Sequence, residues 1–368
     1  MKQITRRSAL CSAVGACLVS PVLAAVRDRG FEKAVEVLSQ SVACGQVRAA
    51  SLFVQCGATR LSHVFGDAKT PDATFLLGSI SKPVAIAALM TLFDKGKFEL
   101  DDAAQKYLPE FKGGSRSKVT VRHLLTHTSG LPDQLPQNAE LRSSHATLAD
   151  FVNGAMEVPL HFEPGVKYEY SSMAILLAAE IAQRISGVDI KQFVEQAVLQ
   201  PLNMQHSALG VGRLKADQVM PCQVEFGAVE SGGGSVDSKN WDWNSPFWRK
   251  LGAPWGGQHA SAPDVGSFLH EFLHPTGKLF KSEVAELMIR NHNATGIESR
   301  GLGFDVGMQS SCPGCSPSTF GHTGSTGTIA WSDPGRDLTC VVLTTLPSGA
   351  VPDGKHPRQL ASDCIAAM

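Results

Sequence analysis

Gly78-Ser79-Ile80-Ser81-Lys82-Pro83-Val84-Ala85-Ile86-Ala87-Ala88-Leu89-Met90-Thr91-Leu92-Phe93 puts a serine and a lysine three positions apart at the mouth of a nearly all-apolar run. The run has helical length, closes near Gly96 and is apolar on every side, so it belongs inside the protein. Ser79 and Lys82 then share one helix face, a turn apart. A serine hydroxyl is a weak nucleophile and needs a base within hydrogen-bond reach. A lysine with its ordinary pKa of ~10.4 is a poor base at neutral pH. Burial favours its uncharged form, and the positive helix terminus pushes the same way. Pro83 is tolerated because first-turn amides lack helical partners. The bland alternative is a serine N-cap beside a surface lysine. A second copy of the spacing, Ser115-Arg116-Ser117-Lys118, follows Gly113-Gly114 and leads to no apolar helix, so it reads as a solvated turn.

Around this stretch, Phe31 to Val42 has helical apolar spacing, and Ala50 to Cys56 with Leu61 to Phe65 reads as a hairpin of strands. From about Asp101 to His274 the pattern is mostly helical, broken by loops rich in Gly, Pro and Ser. Strand signals return at Gly301 to Met308, Thr319 to Trp331 and Leu338 to Leu346, and Pro357 to Ala367 closes the chain as a helix. Strands at both ends with helices between them predict one sheet built from both termini and a helical insertion. The expected division is 26–85 with 290–368 for the sheet domain and 86–289 for the helical domain.

Two further segments carry chemistry. Pro164-Gly165 turns the chain ahead of Tyr168-Glu169-Tyr170-Ser171-Ser172, which leads into another apolar helix. A buried phenol near a lysine can act in proton transfer, although core packing is the more common use of tyrosine. Gly321-His322-Thr323-Gly324-Ser325-Thr326-Gly327 lies inside a strand pattern, where glycines mark a close approach of ligand or backbone. Such an edge can offer a backbone N–H to a developing oxyanion.

Together the three segments resemble the serine β-lactamase and penicillin-binding protein superfamily, in particular its class C-like branch of D,D-carboxypeptidases, D-aminopeptidases and carboxylesterases. The first motif matches Ser79-Ile80-Ser81-Lys82, the second Tyr170-Ser171-Ser172 and the third His322-Thr323-Gly324. His123-Leu124-Leu125-Thr126-His127-Thr128-Ser129-Gly130-Leu131-Pro132, Gly301-Leu302-Gly303-Phe304 and Trp331-Ser332-Asp333-Pro334-Gly335 look like stretches common in that branch. The resemblance implies an α/β fold of the α+β type, β-lactamase/transpeptidase-like, with an antiparallel sheet flanked by terminal helices and an all-helical domain beside it. It implies Ser79 as nucleophile, Lys82 as its base partner and Tyr170 as the proton relay. The N–H groups of Ser79 and Ser325 would form the oxyanion hole, with Ser172, His322, Thr323 and Gly324 on the substrate, and with no metal or organic cofactor.

Two positions depart from the pattern. Ser172 stands where the second motif usually ends in Asn, and has a shorter reach and fewer donors. His322 stands where true β-lactamases have Lys, and a histidine of pKa ~6.5 is mostly neutral at pH 7. Weak penicillin hydrolysis is therefore the alternative, and an ester, a small amide or a D-amino-acid peptide the main expectation. A non-catalytic protein on the same fold, binding cell-wall fragments, is a further reading. His270-Glu271-Phe272-Leu273-His274 fits the H-E-x-x-H zinc peptidase signature, but Pro275 and Gly277 fray the helix where the second ligand would sit. Trp241, Trp243, Trp248 and Trp255 cluster, and Trp243 with Trp248 are candidates for an aromatic rim on the cleft.

Composition sits in the globular range. Of 368 residues 43% are hydrophobic and 18% charged, and the formal charge of −1 gives no electrostatic case for nucleic acid. Met1 to Ala25, with Lys2, Arg6 and Arg7 before an apolar stretch and then Ala24 and Ala25, reads as an export signal. Thr5-Arg6-Arg7-Ser8-Ala9-Leu10 has the twin-arginine form, which implies a periplasmic or extracellular protein. An ordinary secretory signal and a lipid anchor on Cys17 are the alternatives. No later segment is long enough to span a membrane. Beyond the signal, Cys312-Pro313-Gly314-Cys315 is the one close cysteine pair, read as a loop disulfide or free pair ahead of half a metal site.

Overall fold

Strands whose neighbouring side chains are all apolar must be covered on both faces, and the main sheet meets that requirement with three helices. The computed structural model describes residues 21–307, 312–352 and 354–368. Strands β1 (Ala49–Cys56), β2 (Thr59–Gly66), β6 (Asp305–Val306), β7 (Phe320–Gly324), β8 (Thr328–Asp333) and β9 (Leu338–Thr344) form one antiparallel sheet in the order β2-β1-β9-β8-β7-β6. The strand from the beginning of the chain thus pairs with one from its end, Phe53 opposite Val341. Leu52, Val54, Ile329, Trp331 and Val342 point to one face, which helices α1 (Pro21–Ala43) and α11 (Pro357–Ala366) cover with Leu38, Ala361 and Ile365. Phe53, Ala330, Val341 and Leu343 point to the other and join the larger core.

That second face is covered by α9 (Ala262–Leu273). The helix can come this close because residue 266 is glycine: a Cβ there would meet the Phe53 ring at 2.2 Å. Although it falls inside the stretch expected to form the helical insertion, α9 is a layer of the sheet. Beside the sheet lie α2 (Ser81–Asp94), α3 (Val121–Leu125), α4 (Asn138–Ser143), α5 (Leu148–Glu157), α6 (Ser172–Ser186), α7 (Ile190–Val194), α8 (Pro246–Leu251) and α10 (Ser282–Met288). As its composition predicts, α2 is buried from Ser81 through Leu92 and packs on α6.

The middle of the chain is less purely helical than its pattern suggests. Strands β3 (Phe75–Leu76), β4 (Ser207–Leu209) and β5 (Gln258–Ala260) make a small antiparallel sheet in the order β3-β5-β4. Elements of two or three residues are too short to show an alternating pattern. The expected strand Gly301 to Met308 shrinks to β6, with Met308 outside the described residues. Residues 1–20 of the expected signal, including Cys17, also lie outside them, while Pro21 to Ala25 begin α1. Among the described residues no helix is long and apolar enough to cross a membrane. Cys312 and Cys315 form a disulfide.

Candidate active site

Ser79 sits on a single 3-10 turn, Gly78–Ile80, that feeds directly into α2. Gly78 adopts φ +57°, and a Cβ there would lie 2.9 Å from Thr326 Oγ1 and 3.2 Å from the Ser325 nitrogen. Only glycine lets this turn lie against the β7–β8 hairpin. The approach is pinned by Thr326 Oγ1 donating to the Leu76 carbonyl and Thr328 Oγ1 to the Leu77 carbonyl, both at 2.7 Å. Ser81 Oγ donates to the Gly78 carbonyl at 2.6 Å and accepts from the Gln258 N–H at 2.9 Å. The result is a rigid mount with the backbone of Ser79 beside Ser325.

One turn on, Lys82 is fully buried, and its Nζ donates to Ser79 Oγ and to the Trp255 carbonyl, each at 2.9 Å. Burial is the main cause that pulls its pKa down to about 7. The Asp133 carboxylate opposes the shift, the Arg300 guanidinium assists it and Glu230 opposes it. Tyr170 lines the same cleft as Ser79, and Lys82 Nζ lies 4.7 Å from the centre of its ring. Desolvation drives the phenol pKa upward, opposed chiefly by Arg300. Near neutrality the phenol therefore keeps its proton while the lysine is poised to lose one.

Tyr170 is held by backbone on both sides. His127, at φ +59°, accepts the Ser171 N–H on Nδ1 at 3.1 Å, and its ring lies 4.6 Å from that of Tyr170. Ser171 caps α6, accepting the Ala174 N–H at 2.9 Å and donating to the Pro132 carbonyl at 2.8 Å. The Ser172 N–H and Oγ both donate to Asp133 Oδ1, at 2.9 and 2.6 Å. The short side chain at 172 is thus completed by a carboxylate from the preceding loop.

His322 is buried on β7. Its Nδ1 lies 2.6 Å from the Thr323 carbonyl and its Nε2 2.7 Å from Arg300 Nη2, so Nδ1 carries the proton and Nε2 accepts. Burial, then Arg300 and Lys82, hold its pKa well below the ordinary value, which makes it neutral. The cation in this corner is Arg300, 2% exposed, paired with Asp305 and 5.6 Å from the centre of the Tyr170 ring. Sequence reasoning missed Arg300, because a lone arginine two strands from the motif carries no spacing signal. It missed Asp133 for a similar reason and placed His127 only within a stretch common to the branch.

A cleft open to solvent is lined by Ser79, Tyr170, Ser172 and Ser325 together with Asp133, Arg142, Glu230, Trp243 and Trp248. Trp243 and Trp248 are only 3% and 2% exposed, so the expected rim is an inner wall of the cleft, and Trp248 packs against Trp255. The H-E-x-x-H stretch lies elsewhere and its side chains are engaged. Buried Glu271 accepts the Thr276 N–H and Oγ1 at 2.9 and 2.6 Å, while His274 lies beyond the end of α9 and meets Asp337 at 2.6 Å. The zinc peptidase alternative is thereby corrected: the helix ends before its second histidine, and the glutamate closes a turn. Ser115-Arg116-Ser117-Lys118 forms an exposed 3-10 turn, with Lys118 bonded to Glu163 at 2.9 Å.

The chain belongs to the Beta-lactamase family, whose profile matches residues 36–364. Its relatives within that family differ in name. Protein flp of Staphylococcus aureus (strain NCTC 8325 / PS 47) is 29% identical over 142 residues, covering 38% of this chain, which thus spans 28% of that protein's length. A protein of Salmonella agona (strain SL483), provisionally named a D-alanyl-D-alanine carboxypeptidase, is 26% identical over 347 residues, covering 84% of this chain and 78% of its own. Among solved structures, EstCE1, described as a hydrolase with promiscuous acyltransferase activity, superposes with a TM-score of 0.73 at 20% identity, covering 93% of this chain and all of its own. At that identity the last likeness speaks for the fold. The resemblance carried by the three motifs and the mixed α/β fold it implied are both borne out.

Proposed function

We propose that this protein is a serine hydrolase that forms an acyl-enzyme on Ser79 and cleaves a carboxylic ester, a small amide or a D-amino-acid peptide. The observation that carries this reading is the 2.9 Å contact of Ser79 Oγ with a buried lysine whose pKa lies at about 7. Neutral Lys82 takes the proton as Ser79 Oγ attacks the acyl carbon. The oxyanion collects on the N–H groups of Ser79 and Ser325. The bond to the leaving group then breaks, and that group takes a proton relayed from Lys82 through Tyr170. Water next attacks the acyl–Ser79 ester along the same relay, releasing the carboxylic acid and restoring the serine. Thr323 and Gly324, on the edge of β7, line up the substrate, and Ser172 orients it from the opposite side. No step requires a metal or an organic cofactor.

A neutral His322 supports esters and peptides ahead of β-lactams, since it offers no permanent cation at the third motif. The name of the Salmonella agona relative lies on the peptidase side of that range, and EstCE1 is described as a hydrolase with promiscuous acyltransferase activity. The twin-arginine pattern supports export to the periplasm or beyond. The test is intact-mass spectrometry of the protein after exposure to a penicillin and to a short-chain aryl ester, with Ser79→Ala alongside. An added acyl mass that vanishes in Ser79→Ala is expected, with ester turnover faster than penicillin loss. No adduct and no turnover with either reagent would leave the cell-wall-fragment binder as the better reading.

A further inference from the structure

In the lining of the cleft stands a buried arginine that makes no ion pair among the described residues. Arg142, on α4, is 1% exposed and lines the same cleft as Ser79. Its Nε donates to Asn138 Oδ1 at 3.2 Å, and Asn138 is itself tied to the Glu230 carbonyl at 3.1 Å. The guanidinium lies over the Trp248 ring, 4.1 Å from its centre. Nη1 has no hydrogen-bond partner among the described residues. The Glu230 carboxylate acts on Arg142 through its field and makes no ion pair with it. Burial brings the pKa of Arg142 down to about 10, with Glu230 opposing the shift.

Packing does not call for a cation at this place. A methionine would fill similar volume against Trp248 without the cost of burying an unpaired charge. What arginine adds is a planar fork that matches a carboxylate, and here Asn138 and Trp248 fix the plane of that fork. Trp243 and Trp248, both buried, line the cleft together with Arg142. A leaving group has to escape to solvent after the first step, whereas the acyl group stays on Ser79 until water arrives. A place lined by two buried indoles therefore suits the acyl half of the substrate.

We propose that Arg142 is a specificity-determining residue that receives a carboxylate at the far end of the acyl group carried by Ser79. This rests on the serine hydrolase reading. The preferred acyl donors are then monoesters or monoamides of short dicarboxylic acids, including acidic amino-acid side chains of the same shape. The reaction is the ordinary one: the acyl–oxygen or acyl–nitrogen bond breaks, the Ser79 ester forms, and water later releases the diacid.

The test compares 4-nitrophenyl pentanoate with mono-4-nitrophenyl glutarate, which differ only in a terminal methyl against a carboxylate. Wild type is expected to favour the glutarate ester by ~10-fold or more in kcat/KM, Arg142→Met to lose that preference, and Arg142→Lys to keep part of it. The neutral ester should change by less than about 3-fold in either variant, which separates specificity from damage to the fold. The same preference in wild type and Arg142→Met, or none in wild type, would overturn the proposal. Binding of free glutarate to Ser79→Ala, followed by calorimetry, gives a readout without turnover. Arg142→Lys, the milder change, serves if the Met variant does not fold. Glutarate binding lost on changing Arg142, in a protein that turns over neither ester, would sink the hydrolase reading and keep the anion site. Glutarate binding indifferent to Arg142 would sink the site.

Discussion

Lys82 carries the proposed chemistry because three surroundings act on one ammonium group. Its burial favours the neutral form, Asp133 resists and Arg300 helps. Deprotonation activates the base, so kcat/KM for an ester should rise with pH through about 7 and level off above it. Asp133→Asn removes the anion that opposes deprotonation while leaving an oxygen for Ser172 to donate to. The acidic limb of the pH profile should move to lower pH in that variant, and a shift to higher pH would count against Lys82 as the titrating base. Lys82→Met is expected to cost about 10³-fold or more in kcat/KM, measured against the same ester. Ser79, Lys82 and Tyr170 were legible in the sequence because each stands at a helix entrance with a recognisable neighbourhood. Arg300, Asp133 and Arg142 were not, because their partners are distant in sequence and their burial is a property of the folded chain.

At the scale of elements, the junction of the 127–133 loop with α6 decides where Tyr170 points. Ser171 Oγ ties that junction twice, to the Ala174 N–H and to the Pro132 carbonyl. Ser171→Ala should lower stability by about 1 kcal/mol or somewhat more, as loss of an N-cap does. It should also lower kcat more than it raises KM, because it frees the proposed relay residue rather than a binding contact. Urea denaturation and steady-state kinetics of the one variant check both halves, and a stability loss with unchanged kcat would make Ser171 a cap only. A second element-scale device is the closeness of α9 to β1 at Gly266. Gly266→Val would push the helix off Phe53 and should cost about 1–3 kcal/mol, read as a lower urea midpoint. The long helix α2 was readable from composition alone, whereas β3, β4 and β5 are too short to leave a periodic trace. The placement of α9 on the sheet was hidden as well, since an amphipathic helix shows that it has a buried face and not what covers that face.

Across the whole molecule, the sheet is closed by the two ends of the chain. β1 pairs with β9, and α1 packs against α11 over the face formed by Leu52, Val54, Ile329, Trp331 and Val342. Trp331 Nε1 donates to Ser362 Oγ of α11 at 2.8 Å, and Trp331 is fully buried. This arrangement was visible in the sequence as strand patterns at both ends, because a sheet drawn from both termini needs helices from both to cover it. The same geometry places the β7–β8 hairpin, and with it Ser325, at the mercy of the terminal helix: Arg358 of α11 donates to the Thr328 carbonyl at 2.9 Å. Removing residues 357–368 would uncover an apolar face of the sheet and release that hairpin together. The shortened chain is expected to be insoluble or rapidly cleaved by protease, whereas Ser362→Ala alone should cost only about 1 kcal/mol for the lost hydrogen bond. A truncated chain that stayed soluble, unfolded at the wild-type urea midpoint and still hydrolysed the aryl ester would show that α11 is dispensable to the site. Slow hydrolysis by a soluble truncated chain, restored by adding the missing helix as a peptide, would instead tie Ser325 to the closure of the sheet.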